Sequence, residues 1–226
     1  MGIISVEKAG NLYWLGRYSE RVFTTLKTFY TYYDRFLDMG PDAFLDLCNK
    51  LGIENTYDDK EDFIYQYLYN REDSNSICAS INRAFDNAVV VRDEIGSETL
   101  AYIQMALDTM KKSKESNERF LQHQKVLDYI FAFWGCADDM IDEEESRNIM
   151  KVGKYIERMD LYMRLSYQYP HLERTFTKLK SRLRKLNFPY HDEELEELER
   201  ILNKKEDWKE DYDLALGSLC SIIDIA

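Results

Sequence analysis

The sequence predicts an all-α protein: a helical bundle with two long core helices that share an internal repeat, plus a C-terminal helical hairpin. Three observations carry this. Helix breakers are scarce, with 9 Gly and 3 Pro in 226 residues, whereas a β-sandwich or barrel needs a turn signal every ten residues or so. Hydrophobic residues make up 45% of the chain. That is too many for a disordered protein, and they recur at helical spacing. A short motif centred on glycine occurs twice, each time inside a long apolar stripe.

The first stripe covers residues 11–37. Leu15, Val22, Phe29 and Phe36 are evenly spaced, with Leu26 and Tyr33 between them, which predicts one helix about 40 Å long. Gly40-Pro41 ends it, and Pro41 starts a short helix through Leu51 that Gly52 closes. Asp58 and Asp59 can cap a helix to Tyr69. The next helix is expected from Ser74 to Ile95, closed by Gly96. Ser97 then caps another that reaches Lys112, with Glu98 in its first turn. Residues 111–117 read as a polar connector, followed by a helix to Ala137. The acidic run 138–145 reads as a helix junction. The second long helix then extends to Tyr169, where Pro170 stops it. Beyond Pro170 a basic helix (Arg174 to Lys185) and an acidic one (Asp192 to Glu199) flank the connector Asn187-Phe188-Pro189-Tyr190. They read as a charge-complementary hairpin, with an anion-binding surface as the other reading. An apolar helix from Tyr212 to Ile225 is expected to dock on the core.

The repeated motif is the most informative feature. Asn11-Leu12-Tyr13-Trp14-Leu15-Gly16-Arg17-Tyr18-Ser19-Glu20-Arg21 and Asn148-Ile149-Met150-Lys151-Val152-Gly153-Lys154-Tyr155-Ile156-Glu157-Arg158 share N-h-x-x-h-G-[RK]-Y-x-E-R. The apolar stripes stay in phase beyond it, Val22 with Met159 and Leu26 with Met163. This predicts two equivalent helices related by a pseudo-two-fold axis. Glycine inside a helix costs about 1 kcal/mol against alanine, so each motif glycine implies close approach by another backbone or a ligand. Glu20 lies one turn beyond Gly16 on the same face. Arg17 and Arg21, one turn apart, repel each other unless acids from elsewhere join them. The spacing therefore predicts a reciprocal cross-helix network, Glu20 with Arg158 and Glu157 with Arg21. Two readings remain open: a buried ion-pair cluster that fixes helix register, or a polar site inside a bundle.

With these residues in view, the N-terminal motif resembles the opening of the bacterial alpha-E family, an all-helical domain with a Glu-Arg motif. The stretch from Asn82 to Glu98, with Asn87-Ala88 and then Val91-Arg92-Asp93, is similar to that family's central segment. Asp86 stands before Asn87 where the family usually has Glu, and Thr99-Leu100 follow Glu98 where Trp is usual. Gly153-Lys154-Tyr155-Ile156-Glu157-Arg158-Met159-Asp160 resembles its second Glu-Arg helix. The length predicts one domain over 1–226, in which the resemblance implies an alpha-E-like core in 1–170, leaving a helical extension in 171–226. It implies an accessory or substrate-handling protein that acts with an ATP-grasp-type ligase, and with a transglutaminase-like peptidase, in peptide or amide synthesis or modification. The site residues it carries over are Arg17, Tyr18, Glu20, Arg21, Asn87, Arg92, Glu98, Tyr155, Glu157 and Arg158. The alternative is an enzyme in its own right that uses the Glu-Arg site.

Other constellations are weaker. Asp138-Asp139-Met140-Ile141-Asp142 and Asp58-Asp59-Lys60-Glu61-Asp62 both spell DDxxD, which in isoprenoid synthases holds Mg²⁺. Acidic helix starts account for both copies equally well. No Glu precedes His123, His171 or His191 at the spacing of a di-metal bundle. His123 with Cys136 makes a dyad without a third member. Nucleotide-binding glycine motifs are absent, so no metal or cofactor is expected. The net charge of −12 disfavours nucleic acid and anionic membranes as partners. Cys48, Cys78, Cys136 and Cys220 lack metal spacing and sit among apolar neighbours, as buried free thiols of a cytoplasmic protein do.

Overall fold

The 33-residue helix α1 (Val6–Asp38) is the spine of the molecule and spans about 50 Å. It belongs to a computed structural model that describes residues 4–38 and 43–225, except the side chains of 34–38 and 43. The expectations for Phe36, Gly40 and Pro41 fall outside the described residues. Eleven α-helices and one 3-10 helix make up the described chain, with no strand among them. Leu15, Val22, Leu26 and Phe29 of the α1 stripe are buried in one continuous core, whereas Tyr33 lies outside it.

The helices after α1 follow local capping chemistry. α2 (Ala43–Leu51) ends at Gly52, whose φ of +69° is the left-handed turn that glycine accepts freely. Asp59 caps α3 (Lys60–Tyr69) by accepting the Asp62 amide. The helix expected from Ser74 to Ile95 is two pieces. α4 (Ile77–Val90) starts at the buried cap Ser76, and α5 (Arg92–Ile95) follows a break at Val91. Ser97 is not a cap but the first residue of α6 (Ser97–Ser113), and its hydroxyl accepts from Arg92 across Gly96. α7 (Arg119–Met140) runs past Ala137 almost to α8 (Glu144–Arg164).

α8 also departs from its expected end. It stops at Arg164, and Ser166 takes the left-handed conformation (φ +55°) that closes it. Pro170 lies in the first turn of α9 (Tyr169–Leu183) and starts that helix rather than ending α8. α10 (Asp192–Leu202) completes the hairpin, with Lys180 bonded to Glu199 across it. Two further basic residues reach back to α8 instead, Arg182 to Asn148 and Lys185 to Glu144. A 3-10 turn (Lys205–Asp211) leads to α11 (Tyr212–Ser221), which packs on α8 and α10 with Ile222 and Ile223 buried behind it.

The α1–α8 pair organises the rest. α4 lies against α1, α6 joins α4 to α7, and α9 covers α8. Where the two long helices meet, a Cβ on Gly16 would stand 2.1 Å from the Met150 carbonyl oxygen, and one on Gly153 2.1 Å from that of Tyr13. These contacts are equivalent under the motif repeat. Matched positions face each other, so α1 and α8 run in the same direction with a pseudo-two-fold axis lengthwise between them. No side chain separates the backbones at the motif glycines, which is the use that offsets their cost inside a helix.

Candidate functional site

One turn beyond the glycines the two motif carboxylates are fully enclosed, Glu20 at 1% exposure and Glu157 at 0%. Arg158 grips Glu20 with Nε at 2.6 Å and Nη2 at 2.8 Å. Glu157 takes two arginines: Arg17 Nε donates to Oε2 at 2.8 Å, and Arg21 Nε donates to Oε1. The reciprocal pairs expected from the spacing are present, and Arg17 is an additional member. Burial alone would raise the Glu157 carboxyl, but Arg21 and Arg17 overrule it and hold the group below the usual carboxylate range.

The pseudo-symmetry is broken on both flanks. On the Glu20 flank Thr24 adds a hydrogen bond at 3.0 Å, and Phe23, the counterpart of Asp160, makes an edge contact with Phe131 of α7. Lys154, at the position of Arg17, has no ion-pair or hydrogen-bond partner among the described residues. Its Nζ lies 3.6 Å over the Trp134 ring. Burial pushes its amine down to about 7, with the Glu20 charge opposing the shift only in part.

The Glu157 flank opens instead. A cavity of about 250 Å³ is bounded there by Arg21, Glu157, Asp160 and Arg164, with Asn75 and Gly52 on its far wall. Arg164 Nε bonds both Asp160 oxygens at 3.0 and 3.1 Å. Burial and the neighbouring Glu157 charge raise the Asp160 carboxyl. Arg21 spends only Nε on Glu157, so its two terminal nitrogens have no protein partner among the described residues. A side chain at Gly52 would stand 3.1 Å from Arg164 Nη1, so this glycine gives the arginine its place. The cavity offers the Arg21 and Arg164 guanidinium groups, the Asp160 carboxylate and the Asn75 amide to a polar ligand, while Glu157 is fully enclosed and holds Arg21 in place.

Of the remaining candidates, Tyr18 and Tyr155 border the network, while Asn87, Arg92 and Glu98 have no bond to it. Tyr18 stacks on Trp14, with Arg21 and Arg83 each 5.7 Å from its ring centroid. Tyr155 is its counterpart on α8, with Arg158 5.9 Å from the ring. Asn87 donates back to the Arg83 carbonyl within α4. Arg92 and Glu98 are exposed at the α5–α6 turn. Asp160 and Arg164 were not singled out from the sequence, although the Asp-x-x-x-Arg spacing on one helix face was there to be read. The wall at Gly52 and Asn75 has no sequence signal at all.

The weaker constellations come apart. Asp59 is a helix cap and Asp138 pairs with Lys151. No group of three or more metal-ligating side chains converges among the described residues. Cys136 contacts Thr99, while His123 is bonded to Tyr30, Tyr69 and Ser113. Cys48 and Cys78 are buried, but Cys136 is half-buried and Cys220 exposed, against the expectation that all four thiols are internal. No helix among the described residues is long and apolar enough to cross a membrane.

Comparison with known proteins gives one match. No curated protein and no solved structure matches the chain. The family described as "a predicted alpha-helical domain with a conserved ER motif" matches residues 7–188. That span contains both Gly-[RK]-Tyr-x-Glu-Arg helices, the cavity and all of α9, and the chain belongs to the Alpha-E family.

Proposed function

We propose that this chain is a substrate-handling partner of an ATP-grasp-type ligase in peptide or amide synthesis or modification, acting in the cytoplasm. The observation that carries the reading is the unequal use of the two motif copies. Arg158 spends two nitrogens on Glu20, while the Glu157 cluster forms the floor of a cavity where guanidinium nitrogens of Arg21 have no partner among the described residues. Paired arginines recognise carboxylates bidentately, and the Asp160 carboxylate beside them suits a nearby ammonium. A peptide end or amino acid carries both charges. The hydroxyl of Thr25 at the rim already donates to the Arg21 carbonyl, so the lining supplies charges and positioning rather than an activated nucleophile. The ATP-dependent chemistry then belongs to the ligase. A transglutaminase-like peptidase is the second expected partner.

Copurification of the tagged chain from its native cell, with partners identified by mass spectrometry, tests this. An ATP-grasp-type ligase is expected in the complex. With Arg21→Gln and Arg164→Gln together, the ligase should stay bound while its KM for the carboxylate substrate rises about tenfold. Recovery of no ligase, or an unchanged KM, overturns the proposal.

A further inference from the structure

A second cavity lies away from the Glu-Arg network. α1 extends three turns past the level at which α8 ends, and the overhang carries Phe29, Tyr30 and Tyr33. α3 and the start of α7 face it and enclose about 530 Å³. This volume falls within the range of small-molecule sites. Tyr33, Tyr65 and Phe120 form much of the wall and are all partly open to solvent.

The floor is polar but internally satisfied. Ser113 Oγ donates to the Met110 carbonyl at 2.7 Å, so it accepts from His123 Nε2 at 2.8 Å. That puts the imidazole proton on Nε2 and leaves Nδ1 to accept from the Tyr30 hydroxyl. Burial, with Arg119 nearby, lowers His123 to about 4, so the floor is uncharged at neutral pH. It does not compete for a ligand's charge.

The mouth carries that charge. Arg119 borders the cavity with no ion-pair or hydrogen-bond partner among the described residues. It is also the first residue of the 22-residue helix α7, which has no side-chain cap, so free backbone N–H groups lie beside it. Lys60 stands on the opposite lip with its partner Glu61. An aromatic-walled chamber with a cation at one edge that has no partner among the described residues suits one kind of occupant. The geometry points to a second binding site, for a planar aromatic molecule bearing a single carboxylate. The ring lies among Tyr33, Tyr65 and Phe120, and the carboxylate meets Arg119 and the start of α7.

Isothermal titration of the full chain with indole-3-acetate and with the uncharged indole-3-acetamide tests this. The acid should bind at least about tenfold more tightly than the amide. Arg119→Gln should abolish that preference while leaving amide binding unchanged. Phe120→Ala should weaken both ligands. Both residues are exposed, so neither substitution threatens the fold. Equal binding of acid and amide, a preference that survives Arg119→Gln, or no binding at millimolar ligand overturns the assignment. So does a dimer in size-exclusion chromatography that Phe120→Ala dissociates, because a second copy would then be the occupant.

Discussion

The two flanks of the α1–α8 pair begin from the same residues and end as different environments. On the Glu20 flank the carboxylate meets one arginine and a threonine. On the Glu157 flank it meets two arginines, and the next turn of α8 adds Asp160 and Arg164 around a cavity. The position of Asp160 in one copy is held by Phe23 in the other. A duplicated motif therefore supplies a frame, and the residues one turn farther decide whether that frame is filled or left open. Enclosed ion pairs of this kind are weak sources of net stability but costly to leave half-broken.

Breaking the pairs should expose the inequality. Glu157→Gln strands two arginines and should cost about 4 kcal/mol, against about 2 kcal/mol for Glu20→Gln, which strands one; urea denaturation of both variants measures the difference. Glu157 is a depressed carboxylate, so its contribution is complete above about pH 4.3, the unfolded-state value. It is lost as pH falls through the lower native value. The Gln variant should lack that part of the acid limb.

The glycine crossing is symmetric, so its two halves should respond alike. Gly16→Ala and Gly153→Ala each drive a methyl into a backbone carbonyl and should each cost about 3 kcal/mol in thermal or urea melts. A methyl added at Gly135 of α7 would meet nothing within 4 Å, so Gly135→Ala should instead gain up to about 1 kcal/mol. Unequal costs at the two motif glycines would show that the crossing is not shared.

The smallest effect should also be the one with opposite signs. Arg17→Met removes a partner of Glu157 and should destabilise by about 2 kcal/mol. Lys154→Met, at the matching position, removes a largely desolvated amine that has no ion-pair or hydrogen-bond partner among the described residues, and should stabilise by about 1 kcal/mol at neutral pH. The Lys154 value is depressed to about 7, so the penalty is complete below that pH. It fades as pH rises toward about 10.4, where the unfolded amine also deprotonates. Melts at pH 6.5 and pH 10 check this, and an advantage for Met that persists at pH 10 would contradict it.

The helix pair and its crossed ion pairs were legible because a glycine and two kinds of charge recur in phase. Those residues are costly unless something specific faces them. The ends of elements were less legible. Pro170 can begin a helix as well as end one, and α8 closes on Ser166 in a conformation that usually advertises itself with glycine. The break at Val91 falls within Val89-Val90-Val91, a run that gives no turn signal. Asp160 and Arg164 lay in plain spacing, but Gly52 and Asn75 reach the cavity only through the packing of α2 and the α3–α4 connection. Tertiary contacts of that kind leave no trace in a single chain.

Because α1 and α8 touch backbone to backbone at Gly16 and Gly153, their spacing does not depend on how side chains settle. That seam holds no empty space, whereas the chambers near Arg119 and Arg164 enclose about 530 and 250 Å³. Hydrostatic pressure acts through the volume that unfolding eliminates. Both chambers open to solvent and already hold water, and the seam leaves pressure little void to collapse, so the α1–α8 crossing should be among the least compressible parts of the molecule.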